Sequence, residues 1–492
     1  MSGSEENKLN KKLLVLEINE IPWRLIDRFK NHPKLSNIKK FFEGSKTYTT
    51  VITDVKRDLD EAKLVRGKSR EGKDIVIDSG ELSPWITWPT FHRGISSNEH
   101  QIKFLGQDIS TFKGKAIWQD FIDRGYNIGV CGSLQSWPPL YPGNNGFYVP
   151  DTFAHDERCI PNYLEIFQRF NLDQVQKNGL VVRQKELLSK EFFQLIFLLP
   201  RLGITFSTLI QSFTQLLMEL TNKNHLARRT TFQCILFWDI FKSLYSVQDP
   251  PAFSSFFTNH VASLMHRYWH DIFPEDFKDF KVIRKSEHLS AILFGLEILD
   301  NIFKDAMSFL EKNPDITLVF ATSMGQDTIQ YSSYEGFSAE LENINKLFKI
   351  IGINPNDYKP LLAMVPQVAI EVKDPIIRKQ INKALNSCFT SSGKRLFSVD
   401  EMGNSVSITI HNPTYDDATS EVFTYNLGNN KSKTIEWNLA GIKMHKLDVA
   451  TAYHTPEGIL AIYGKGINPD DSRKKIDLTE CKSILLELAF SQ

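Results

Sequence analysis

Five short runs rich in β-branched and aromatic residues recur along this 492-residue chain, separated by stretches of helical periodicity, and that alternation leaves few folds open. They are Leu13 to Ile18, Asn127 to Cys131, Phe253 to Thr258, Ile316 to Thr322 and Gly458 to Gly464. Near-continuous apolar runs of this kind are strands buried on both faces. The expected fold class is therefore α/β, a mainly parallel central sheet with helices on both faces. In such a sheet chemistry belongs beyond the carboxyl ends of the strands. Polar residues fall there: Asn19-Glu20 after the first run, Asn259-His260 after the third, and Ser323 and Gln326 after the fourth.

A chain of this length exceeds one ordinary core, and the pattern between the runs divides it. Residues 1–12 are a polar lead-in, expected to be disordered. The α/β core is expected from 13–150, 248–358 and 448–492. The block 151–247 is helical in pattern and reads as a cap insertion at the sheet edge. A second composition shift marks 359–447 as a small α+β insertion. Its strand-like runs are Leu361 to Val372, Ser405 to His411 and Ser420 to Tyr425, with a helix near Pro375 to Asn386. Asp416-Asp417 and Gly428-Asn429-Asn430 read as turns.

Lys+Arg and Asp+Glu each number 58, so no net field gathers a polyanion and nucleic acid is not an expected partner. The five cysteines are widely spaced and never in a CxxC pair, and they read as reduced thiols. With no apolar core of signal-peptide length in residues 1–12, the expected location is cytoplasmic. The longest apolar region, Phe192 to Leu220, is interrupted by Gln194, Pro200-Arg201, Gln211 and Gln215, which a bilayer core disfavours. It reads as buried or lid helices, with membrane-surface contact through 192–220 as the lesser reading. Oligomeric state is not specified by the sequence.

The candidate chemistry sits in a few blocks. Ser83 to Gly94 forms a Pro/Trp-rich turn in which Thr87 lies between two tryptophans; a threonine hydroxyl becomes a nucleophile only beside a base or metal. His92 and Arg93 follow, the arginine suited to an anionic substrate. Phe256 to His270 holds three of the twelve histidines at a strand-to-helix junction, where imidazoles from the strand end and the next helix can converge. Asn19 and Glu20 close the first strand, Ser323 and Gln326 the fourth, and His454 precedes the last. Each has a plain structural alternative: Asn and Glu favour helix starts, Trp-Pro turns pack, and lone histidines are commonly core residues.

Taken in order, these blocks resemble the alkaline phosphatase superfamily, in the branch of type I phosphodiesterases, nucleotide pyrophosphatases and phosphoglycerate mutase-like proteins. The similarity lies in the strand ending in an acidic turn and the phrase Leu35-Ser36-Asn37-Ile38-Lys39-Lys40-Phe41. It continues through the Thr87 segment closing at Glu99-His100, Gly114 to Trp118 leading to Gly129 to Ser133, the His266 segment, and His454-Thr455-Pro456. The resemblance covers about half of the chain and leaves both insertions outside it. It implies an alkaline phosphatase-like core in which metal ions, often zinc, are held around a nucleophilic Thr or Ser. Thr87 matches the nucleophile, His266 and His454 two metal ligands. The chain departs from the family where Asn19 stands for a first-strand Asp, Ser323-Met324 for Asp-His, and Ala262 for an Asp before His266.

The second metal site of the superfamily is therefore expected to be lost, leaving at most one divalent metal, zinc first, on His260, His266 and His454. Thr87, Glu20 and His92 are the expected catalytic residues, and Asn19, Arg93, Asn259, Ser323 and Gln326 the expected substrate contacts. The expected function is a divergent hydrolase or transferase acting on a small phosphorylated, sulfated or nucleotide-like substrate. The alternatives are a catalytically inactive pseudoenzyme that binds without turnover, or a metal-independent glycosyl transferase using a phosphate-activated donor.

Overall fold

In the computed structural model the described residues are 8–53, 65–68, 74–78, 82–177, 201–277, 290–329, 337–364, 367–411, 415–428, 431–446 and 450–490. The centre is an eight-stranded sheet with a two-stranded ribbon beyond one edge of it. In chain order the strands are β1 (Lys12–Ile18), β2 (Lys46–Val51), β3 (Ile128–Cys131), β4 (Phe147–Val149), β5 (Phe253–Thr258) and β6 (Ile316–Thr322). They continue as β7 (Gly325–Thr328), β8 (Ala452–Thr455), β9 (Glu457–Tyr463) and β10 (Asp470–Asp477). The sheet order is β10-β2-β9-β6-β1-β5-β3-β4, and β7 pairs with β8 in the ribbon. Only β9 runs against its sheet neighbours. Five of these strands were not expected: β2, β4 and β10 of the sheet, and the ribbon strands β7 and β8. β10 is a polar edge strand, β2 beside it is a Thr-rich run, and β4 has three residues, so none of these three carries a buried-strand pattern.

The helices used below are α1 (Trp23–Phe29), α2 (Ser36–Glu43), α3 (Pro84–Arg93), α4 (Ile117–Asp123), α5 (Phe206–Thr221), α6 (Arg229–Leu244), α7 (His260–Ile272), α8 (Ala291–Lys312) and α9 (Glu480–Ala489). Alternation along β1 assigns its two faces. Leu14, Leu16 and Ile18 join one core with residues of α2, α6, α7 and α8. Leu13 and Val15 join another with Trp88 and Phe91 of α3, Trp118 of α4 and Leu485 of α9. Each fully buried side chain of these sets contributes about 1.5–3 kcal/mol relative to exposure. Glu17 has the same parity as Leu13 and Val15 and so projects under α3.

Register places the polar strand ends in one row. Ile18 pairs with Thr258, and Glu17 with Ala321. One further residue along β1 and β5, and two along β6, brings Asn19, Asn259 and Ser323 to the same level at the carboxyl edge.

Thr87, expected in a turn, lies in α3. Pro84 occupies its first turn, where a missing N–H costs nothing, and Pro89 is accommodated in the interior. Residues 359–446 contain a four-stranded sheet (Lys359–Leu361, Gln367–Glu371, Phe397–Met402, Ser405–Ile410) and a three-stranded one (Cys388–Thr390, Val422–Gly428, Lys431–Glu436), around a core they share with Ala339, Leu347, Phe348 and Ile351. Asp416-Asp417 is helical there, within Tyr415–Ser420, because the Asp417 carboxylate accepts from Ser391 Oγ, Ser392 N and Ser392 Oγ at 2.8–2.9 Å. Residues 429–430 of the other expected turn, 192–200 of the long apolar region and 1–7 of the lead-in lie outside the described residues. No helix among the described residues is long and apolar enough to cross a membrane.

Candidate metal centre

Glu20 is the pivot of the carboxyl edge. Its backbone is left-handed, with φ of 61°, a conformation costly for a residue with a Cβ and one that turns its side chain back over the sheet. The carboxylate is buried and its two oxygens are used differently. Oε1 accepts from Asn19 Nδ2 at 2.6 Å. Oε2 faces Nε2 of His266 at 3.1 Å and Nε2 of His454 at 3.4 Å, and accepts from Gln326 Nε2. Burial opposes the charge on Glu20. In the ion-free protein the charge of His454 and the hydrogen bonds that His266 and His454 donate from Nε2–H more than offset it, holding the carboxyl well below the usual carboxylate range; a bound ion would replace those Nε2 protons.

The two histidines come from distant parts of the chain, and a kink joins them. α7 departs from helical geometry at Tyr268. There the His266 carbonyl accepts from Thr451 N at 2.6 Å, and His270 N donates to Thr451 Oγ1 at 3.4 Å. The strand leading to His454 is thereby hooked into the helix that carries His266. His266 Nδ1 lies 3.0 Å from the Ala452 carbonyl, which can only accept, so Nδ1 carries the proton and Nε2 faces Glu20. His454 sits opposite Gln326 across the β7–β8 ribbon.

Glu20, His266 and His454 offer one ligand atom each, all within 4.8 Å of one another. A carboxylate oxygen and two imidazole nitrogens are a zinc donor set that keeps an open position. The protein also supplies the supporting bonds that such ligands need: a backbone carbonyl on His266 and an amide on Glu20. Gln326 adds an orphaned atom, since Nε2 bonds Glu20 and the Ala262 carbonyl (3.2 Å) while buried Oε1 has no partner among the described residues. A half-turn of that amide exchanges its donor for an acceptor beside the same carboxylate.

Asn19 is held as a neutral group. The Trp88 indole N–H donates to its Oδ1 at 2.9 Å, which directs Nδ2 to Glu20 and to Asn259 Oδ1 at 2.7 Å. Next to Trp88, the Thr87 hydroxyl shares a 2.7 Å hydrogen bond with Ser323 Oγ, both residues buried. No carboxylate or imidazole bonds the Thr87 hydroxyl among the described residues. Asn259 is the exposed member of the row; with its oxygen taken by Asn19, it presents an amide donor.

Three expected site residues lie away from this cluster. His260 turns into the core, its Nε2 donating to the Gly295 carbonyl at 3.1 Å and its Nδ1 accepting from Thr258 Oγ1 at 2.9 Å. Glu20 takes its place beside the other two histidines. His92 is buried under the sheet edge, with Nε2 2.9 Å from Glu17 Oε1, its ring stacked on Trp88 and edge-on to Trp118. Arg93 ends α3, six residues on from Thr87, and donates to the carbonyls of Lys113 (3.2 Å) and Gly114. Glu17 and Trp88 were not singled out in advance. The signal for Glu17 was a charged residue inside an otherwise apolar strand.

Burial pushes His260 down to about 4, against the opposing hydrogen bond to Gly295. Between pH 6.5 and 4 the unfolded chain binds a proton that the native state refuses, so stability falls on acidification across that window, by about 3 kcal/mol at its end. Urea midpoints measured from pH 7 to 4 are expected to fall in the wild type and to fall less steeply in His260→Gln.

No protein-family model matches this sequence, and no curated protein is detectably similar to it. Among solved structures, an inactive threonine-to-alanine variant of murine ectonucleotide pyrophosphatase/phosphodiesterase 5 in complex with AMP superposes with a TM-score of 0.40. It shares 9% identity over 97% of this chain and 94% of that one. The human ectonucleotide pyrophosphatase/phosphodiesterase 5 gives a TM-score of 0.40 at 8% identity, covering 97% of this chain and 94% of that one.

Proposed function

We propose that this chain is a one-metal hydrolase or transferase of the alkaline phosphatase type, acting on a small phosphoester, sulfoester or nucleotide-like substrate at the carboxyl edge of the sheet. The observation that carries this reading is the convergence of Glu20, His266 and His454, with His266 fixed by its Nδ1 bond so that Nε2 is offered as a ligand. A divalent ion bound there supplies Lewis acidity toward an ester oxygen. Thr87 is the nucleophile, oriented by its hydrogen bond to Ser323 Oγ; its oxygen forms the new ester bond as the bond to the leaving alcohol breaks, and its proton ends on that leaving alkoxide. Asn259 donates to a non-bridging oxygen of the substrate, and Asn19 keeps Glu20 oriented through Oε1. His92 acts as a positioning residue, setting α3 through Glu17 and Trp88 so that Thr87 meets Ser323.

A second reading is favoured by one observation, that only Ser323 bonds the Thr87 hydroxyl among the described residues. A protein that binds the same group without turning it over, or a metal-independent transferase, would need no activated threonine. Screening phosphodiesters, phosphomonoesters and sulfate esters with and without zinc distinguishes them. Zinc-dependent release of the ester alcohol supports the first reading. Saturable binding with no turnover, or transfer indifferent to zinc, overturns it.

A further inference from the structure

Helix α1 has seven residues, and Pro22 at its start supplies no side-chain cap. A helix that short does not hold itself, so its place is set by what its side chains grip. Glu20 lies just ahead of it in a left-handed backbone, a conformation that persists only where the surroundings over-determine it. One grip is Arg24. Its guanidinium meets Asp276 with two prongs, Nη1 to Oδ2 at 2.6 Å and Nη2 to Oδ1 at 2.9 Å. Nη1 also donates to Asp327 Oδ1 at 2.8 Å and to Thr328 Oγ1 at 3.2 Å. The group lies over Phe273, 3.9 Å from the ring centroid. Thr328 completes the knot: its Oγ1 accepts from Trp269 Nε1 at 2.8 Å and donates to Asp276.

The segments tied together are those that carry Glu20, His266 and His454. Arg24 lies on the helix that follows Glu20. Trp269 lies in α7 beyond the kink at Tyr268 and Phe273 caps its end, while His266 stands just before that kink. Asp327 and Thr328 belong to β7, whose Gln326 bonds Glu20 and stands opposite His454 across the ribbon. Among the described residues no hydrogen bond of Arg24 goes to Glu20, His266 or His454, so it acts through their supports. Resting on the metal-centre reading above, we infer that Arg24 is a positioning residue of that centre. It sets how closely Glu20 meets the two histidines and thereby the affinity for the ion, as outer-shell partners of metal ligands do. The same helix offers a contrast. Asp27 forms an equally two-pronged pair with Arg473, both bonds 2.7 Å, yet Arg473 is on β10, which carries none of the three ligands.

The test is zinc affinity of the full-length protein, measured by competition with a chromophoric chelator, beside the Tm of the zinc-free protein, for wild type, Arg24→Gln, Arg24→Lys and Asp27→Asn. Arg24→Gln is expected to weaken zinc binding by about 10- to 100-fold. Arg24→Lys keeps the charge and loses the two-pronged bond, so it is expected to weaken binding in the same direction; it also gives the answer if Arg24→Gln does not fold. Asp27→Asn is expected to bind zinc as the wild type does, whatever it costs in Tm. Both Arg24 variants binding zinc like the wild type, even at lowered Tm, would overturn the inference alone and leave Arg24 a purely structural residue. An equal loss of affinity in Asp27→Asn would overturn it too, by showing that any loosening of α1 has this effect. A wild type that binds no zinc would remove the metal centre itself, and the inference with it.

Discussion

Replacing His92 by alanine is expected to cost the fold about 3–5 kcal/mol, a large share of the stability of an ordinary domain. Glu17 and His92 are both buried, Oε1 of the carboxyl lies 2.9 Å from the ring, and Oε2 has no partner among the described residues. Removing the imidazole leaves the carboxyl unpartnered on both oxygens and opens a cavity between Trp88 and Trp118. A double replacement Glu17→Leu, His92→Leu is expected to recover most of the loss, because both costs vanish together and volume is refilled. Urea unfolding of the two single variants and the double variant gives the coupling directly. If His92→Ala unfolds within about 1 kcal/mol of wild type, the pair does not set the position of α3.

Replacing Thr87 by alanine is expected to leave the fold and any bound metal intact and to lower ester turnover by about a thousandfold or more. Thr87 is buried and its hydroxyl has one hydrogen-bond partner among the described residues, Ser323, so the loss removes a modest bond and the proposed nucleophile together. Ser323→Ala serves as the comparison: it removes the same hydrogen bond and is expected to cost far less than Thr87→Ala. Equal losses in both variants would show that the hydroxyl pair binds substrate and that the nucleophile lies elsewhere.

The parallel sheet was legible because buried strands advertise themselves: β1, β5 and β6 are almost wholly buried, β1 and β6 are mostly aliphatic, and β5 mixes phenylalanine with small hydroxyl residues. Their polar ends were legible for the same reason, since a run of apolar residues that stops abruptly at Asn19, Asn259 or Ser323 marks where the sheet meets solvent. What the sequence did not disclose was how these ends are wired. His260 and His266 lie in one segment, yet one strand-end bond to Thr258 and one carbonyl, Gly295 on α8, draw His260 into the core. Glu20 reaches the histidines only because its backbone adopts a left-handed turn, which nothing in the residue type announces. Similarly, the hook between Thr451 and α7 depends on a kink at Tyr268 and on backbone atoms, which carry no sequence signature. The orientation of α5, which leaves Phe206 and Leu220 exposed and buries Gln215 and Glu219, was equally hidden, because periodicity identifies an apolar stripe without showing which way it faces.

The most direct measurement is the metal content of the purified full-length protein, by elemental analysis before and after dialysis against zinc, for wild type, His266→Ala and His454→Ala. The account predicts about one ion per wild-type chain, since one donor set, Glu20, His266 and His454, is assembled among the described residues. Either single replacement leaves two ligands and is expected to abolish stoichiometric binding while far-UV circular dichroism stays unchanged. A wild type that takes up no metal from zinc-containing buffer, or variants that keep a full equivalent, would contradict the assignment of Glu20, His266 and His454 as a metal centre.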